Sequence, residues 1–177
     1  MKPILSISCL LITAIFLCGC PFSSAYKLDE SPNQPIDEAL LGKWATFVKK
    51  TGTDKDEPIK LFISKMNDME YNISITGYLD EIRPYIPVIN DSINGNAFLS
   101  TAVNKSFLNL LIKDRIYIVE IKNEDGKISF LPLSEHFTAK LLRNCASLRT
   151  ALEYHYKTRV RPMYDDEFCL KEMVKVN

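Results

Sequence analysis

The sequence predicts an α+β protein, mainly antiparallel β, with a curled meander or partial barrel followed by one or two C-terminal helices. Three observations predict it. Seven short segments between about residues 43 and 133 are rich in β-branched and aromatic residues, and one of them, Tyr71–Thr76, alternates apolar and polar throughout. Short turn sequences such as Asn67-Asp68 and Asn123–Gly126 join most of them, which favours antiparallel neighbours. After Leu133 the apolar spacing changes to the period of a helix.

At the N-terminus, Met1-Lys2-Pro3 is a short basic start and Ile4–Leu17 is nearly all apolar. Those 14 residues are too few for a bilayer-crossing helix of about 20 and suit the core of a secretory signal. The boundary Leu17-Cys18-Gly19-Cys20 resembles the lipobox of bacterial lipoproteins. There a leucine stands three residues before the lipidated cysteine and a small residue directly before it. The resemblance implies cleavage between Gly19 and Cys20, removal of residues 1–19, and acylation of Cys20. Cys18 departs from the family, where Ala, Ser or Thr is usual. One acyl chain anchors only marginally, at about 0.8 kcal/mol per buried CH₂, whereas two or three hold firmly. Pro21 stands where enteric lipoproteins retained in the inner membrane carry Asp, so the resemblance favours an outer-membrane place in the cell envelope.

Residues 20–35 are expected to form a lipidated tether. Pro21 to Pro35 holds three prolines and three serines without an apolar period. Such a stretch reaches at most roughly 50 Å and would let the domain stand off the membrane. A single β-rich domain is expected over 36–177.

Ile36–Leu41 reads as one helical turn stopped by Gly42, with its acids early. Strands are expected at Lys43–Lys50, Ile59–Ser64 and Tyr71–Thr76. Glu81–Gly95, with Pro84, Pro87 and Asn94-Gly95, reads as a loop. Further strands follow at Ala97–Val103, Phe107–Ile112, Arg115–Lys122 and Lys127–Leu133. Ser134 can cap a helix in which Phe137, Leu141 and Cys145 recur. Leu148, Ala151, Leu152 and His155 continue the stripe to about Thr158, before Pro162. Asn144 to Ser147 either interrupts this helix or lies within it. Phe168–Val176 is a candidate closing strand, the eighth that a full barrel would need.

Gly42-Lys43-Trp44 after a helical turn resembles the opening of lipocalin-like barrels, where the turn closes the barrel floor and the tryptophan begins the first strand. The wider layout resembles a group of small bacterial lipoproteins of unknown function, most closely at Ile36-Asp37-Glu38-Ala39-Leu40-Leu41-Gly42-Lys43-Trp44. That resemblance implies a fold and carries no activity.

The chain balances 22 basic against 22 acidic residues, which argues against a nucleic-acid partner. His136 and His155 lack metal-site spacing, so no metal or cofactor is expected. Asp165-Asp166-Glu167 reads as a solvated turn. Cys145 and Cys169 form either a disulfide, contributing about 3 kcal/mol by closing its loop, or two buried thiols. A catalytic Cys145 paired with His136 or His155 is a minor alternative.

The leading reading is a non-enzymatic, lipid-anchored binding module for an apolar small molecule or lipid, with Ile116–Ile121 apolar on both faces and able to line a pocket. The alternative is an envelope structural or protein-interaction lipoprotein whose barrel is filled by its own side chains. A hydrolase with a dispersed site comes third. The membrane is the one partner the sequence points to, through the N-terminal lipid. A cavity of several hundred Å³ would favour binding, and uniformly large inward side chains the filled barrel.

Overall fold

The computed structural model describes residues 23–49, 55–79, 86, 88–134, 137–138, 141–159 and 163–176. The expected signal segment, the cleavage pair Gly19 and Cys20, and His136 lie outside the described residues.

A two-residue strand, β1 (Ser23–Ser24), precedes a 3₁₀ turn at Glu38–Leu40. Seven strands follow, β2 (Gly42–Lys49), β3 (Asp56–Lys65), β4 (Tyr71–Gly77), β5 (Ser92–Ala102), β6 (Lys105–Ile112), β7 (Arg115–Glu124) and β8 (Lys127–Pro132). Each is antiparallel to the next. Helix α1 (Cys145–Thr158), a 3₁₀ turn at Asp166–Phe168 and β9 (Leu170–Val176) come after. β9 pairs with β8 on one side and β2 on the other, so eight strands close into an antiparallel barrel. The expected closing strand is therefore present, and the barrel is complete rather than partial.

Alternation places Leu61, Ile63, Tyr71, Ile73, Leu108 and Val119 in the barrel core. The 3₁₀ turn stops one end. Asp37 caps it by accepting from the Ala39 N–H at 2.9 Å, and Trp44 Nε1 donates to the Leu40 carbonyl at 2.9 Å. Tyr71, fully buried, accepts from the Asp37 N–H through its hydroxyl at 2.5 Å. Gly42 leaves this turn at φ +123°, a conformation that side chains rarely adopt, and a Cβ there would lie 2.9 Å from Lys175 Cε. Asp125 and Gly126, at φ +52° and +75°, make the two-residue turn between β7 and β8. Asn123 and Glu124, expected in that turn, continue β7 instead.

Three further expectations are corrected. Ser92–Gly95 belongs to β5, paired with Thr76 back to Ile73 of β4, although Asn94-Gly95 is locally a turn signal. A partner strand supplies the ladder, and Ile93 turns into the core at 2% exposure. The helix begins at Cys145, not near Ser134. Asn144 is its N-cap: its side chain accepts from the Ser147 N–H at 2.8 Å, while Ser147 Oγ accepts from the Asn144 N–H at 3.0 Å. The expected interruption is the start of the helix, and Phe137 and Leu141 precede it.

The third correction concerns the tether, which is packed on the barrel from Ser23 onward. β8 pairs with β7 only over Val119–Glu124, and Ser24 and Ser23 take the vacated edge at Ile116 and Tyr117. Leu28 is fully buried in a second apolar cluster outside the barrel, with Phe107, Ile118, Leu148 and Leu152. Its N–H donates to Asn109 Oδ1 at 2.6 Å. Arg149 from α1 donates to the Leu28 carbonyl at 3.0 Å, the Thr101 carbonyl at 2.8 Å and Asp29 Oδ1 at 2.5 Å. The Pro- and Ser-rich composition cannot report this crevice, because α1 builds it from the far end of the chain.

Candidate functional site: the barrel cavity and the buried carboxylate outside it

Inside the barrel, inward side chains leave a cavity of about 70 Å³. Its wall includes Ile75, Ile93, Ile112, Tyr117, Phe130 and Phe168. Ile112 and Tyr117 flank the turn between β6 and β7, so the cavity occupies the half of the barrel away from the Glu38–Leu40 turn. The volume is well short of the several hundred Å³ of a small-molecule pocket. The wall is almost wholly carbon, and Tyr117 adds its ring to it while its hydroxyl oxygen is enclosed by protein. That hydroxyl is buried with no hydrogen bond of good geometry. Burial pushes its pKa up, and the neighbouring Arg115 guanidinium opposes this only in part.

The strand expected to line a pocket divides its side chains between two environments. Tyr117 and Val119 face the cavity. Ile116 and Ile118 face outward and pack in the cluster shared by α1 and the N-terminal segment. Apolarity on both faces of β7 thus reflects a barrel wall covered from outside.

Outward on the same strand, Glu120 is completely buried. Its carboxylate accepts from the hydroxyls of Tyr156 on α1 and Tyr164 just before β9. Lys105 Nζ stands 3.5 Å from the other carboxylate oxygen, without hydrogen-bond geometry. Lys105 also lies over the Tyr156 ring, and Lys122 over the Tyr164 ring at 5.6 Å. Burial, reinforced by the bonds to Glu120, drives both tyrosine pKa values upward, so the phenols stay protonated and donate. This node ties α1 and the segment before β9 to the barrel wall. The signal for it was an acid at outward parity within Arg115–Ile121, and only the course of α1 shows what covers it.

His155 is 6% exposed, with Nδ1 3.3 Å from the Phe137 carbonyl and its ring edge-on to Tyr156. Cys145 and Cys169 are free thiols in the structure. Cys169 is buried, donates to the Asp165 carbonyl at 3.2 Å, and has its pKa pushed up to about 11 by burial. Asp166 is exposed and pairs with Lys171 at 2.9 Å. Among the described residues no cluster of three or more His, Cys, Asp or Glu side chains is arranged to hold a metal. No helix among them is long and apolar enough to cross a membrane. No protein-family model, no curated protein and no solved structure matches the chain.

Proposed function

We propose that this is a lipid-anchored cell-envelope protein whose barrel binds a slender apolar molecule, such as an acyl chain, with no chemistry performed on it. The carrying observation is the closed barrel with a carbon-lined cavity at one end. A ligand with an apolar body matches that wall. Because the free space is about 70 Å³, a ligand enters by displacing side chains at the cavity end. The resemblance of Leu17-Cys18-Gly19-Cys20 to a lipobox supports the anchor on Cys20, and Pro21 in place of Asp supports the outer-membrane location. His155, buried and turned to the Phe137 carbonyl, gives the hydrolase reading no support.

The small volume itself favours a second reading, a filled barrel that acts as an envelope scaffold or interaction protein. Native mass spectrometry of the full chain, released gently from its own membranes, separates the two. Binding predicts a retained organic mass in addition to the acyl groups on Cys20. It also predicts loss of that mass in Ile93→Phe, which fills the cavity at a cost of about 1–3 kcal/mol in overpacking. Wild type carrying nothing beyond its own acyl groups would leave the filled-barrel reading.

A further inference from the structure

We propose that the outer face of the barrel over β3 to β6 binds an uncharged oligosaccharide, independently of the interior cavity and of any lipid on Cys20. A groove of about 570 Å³ lies on that face. Strand register sets its side chains in two rows. Ser64, Asn72 and Asn96 stand opposite one another on β3, β4 and β5, and Leu111 of β6 ends the row. Phe62, Ser74 and Asn94 form the second row, one outward position away along the strands. Both rows face out because their neighbours Leu61, Ile63, Ile73 and Ile93 turn into the core.

Two features set this face apart from an ordinary wet sheet. Asparagine is depleted in strands, where valine or threonine packs better on a pleated surface, yet three asparagines share this groove. Asn94 Nδ2 donates to Ser92 Oγ at 2.8 Å, whereas the amides of Asn72 and Asn96 are not spent on any described residue. Charge is the second feature. A quarter of the chain is charged, but among the described residues that line the groove none is acidic and Lys113 alone carries a charge. An ionic ligand finds no matching row of counter-charges there. Amides and hydroxyls both donate and accept, as sugar hydroxyls do. Phe62, 47% exposed, and Leu111, 36% exposed, bracket the amides with apolar surface on which the C–H face of a pyranose ring can pack. From Ser64 to Asn96 is two strand spacings, about 10 Å, which suits linked rings better than a single one.

The test is saturation-transfer NMR on the full chain, released from its membranes in a detergent without a sugar headgroup. Maltotriose, cellotriose and N-acetylated chitotriose are the probes, each at millimolar concentration, with trigalacturonate as the anionic comparison. Transfer to the ring C–H protons of at least one neutral trisaccharide is expected, with an affinity that high salt leaves unchanged. Asn72→Val combined with Asn96→Val favours the strands, so the thermal transition should hold while transfer falls several-fold. Phe62→Thr, at an exposed position, should weaken transfer several-fold by itself. No transfer to any neutral trisaccharide overturns the proposal, and so does transfer that survives both the double variant and Phe62→Thr. Binding that high salt abolishes, or that trigalacturonate alone shows, overturns the uncharged class. Neither the lipid nor the interior cavity enters these readouts, so failure here leaves the apolar-ligand reading as it stands.

Discussion

Tyr117 and Glu120 stand three residues apart on one strand, and each puts an oxygen where carbon surrounds it, on opposite sides of the barrel wall. Glu120 accepts from two phenols and faces a lysine, whereas the Tyr117 hydroxyl, beside Arg115, makes no hydrogen bond of good geometry. Unsatisfied buried groups are costly. The two thiols differ as sharply. Cys145 is half-buried at the first turn of α1, and Cys169 is buried with a pKa of about 11. A raised thiol pKa means little thiolate below pH 10 and a rising fraction as pH approaches 11. Maleimide treatment of the native protein at pH 7.5 should modify Cys145 and spare Cys169, with modification of Cys169 climbing steeply above pH 10. Unfolding should expose both without a reductant. If a reductant is needed before either reacts, the two are bonded in the protein as isolated.

At the scale of elements, α1 is held less by its own propensity than by what lies beneath it. Leu148, Ala151 and Leu152 are buried against Phe107, Ile118 and Leu28, and Tyr156 reaches Glu120. Glu120→Ala would leave two buried phenols without their acceptor. The expected loss is about 3 kcal/mol, read as a lower urea midpoint with unchanged slope. Hydrogen exchange should quicken in α1 more than in β3 or β4, whose ladders do not touch the node. Equal loss of protection across the barrel would show that Glu120 supports the whole fold and not this junction. The stripe Leu148, Ala151, Leu152 and His155 was legible because a helix repeats its buried face every three to four residues. Its start was less so. Asn144 and Ser147 looked like a break, and they act as a cap because each satisfies the other's backbone. The N-terminal segment was the least legible element: Leu28 is one apolar residue among polar ones, and its crevice is made by residues about 80 to 120 positions later.

At the scale of the whole molecule, closure of the barrel depends on the last strand described. β9 reaches its place after α1 and inserts between β8 and β2, covering edges that would otherwise present unpaired backbone groups. It also delivers Leu170 and Met173 to the core. A chain ended after Cys169 should lose cooperative unfolding and bind a hydrophobic dye, as an open sheet with an exposed interior does. Retention of a sharp thermal transition would mean that seven strands suffice. The same closure sets the cavity, since Phe130, Phe168 and Leu170 all line it.

The sequence by itself determined the β class, the succession of strands, the candidate closing strand and the helical stripe. These are readable because each depends on neighbours in the chain: a period of two or of about four, or a turn pair. Only the tertiary structure decided that Ser92–Gly95 is strand, that Ser23–Asp29 is docked, that Glu120 is shared by two tyrosines, and that about 70 Å³ stays empty. Each of those depends on residues distant in the chain meeting in space. A void in particular is a small difference between the volume a barrel encloses and the volume its side chains fill, and no local pattern encodes that difference.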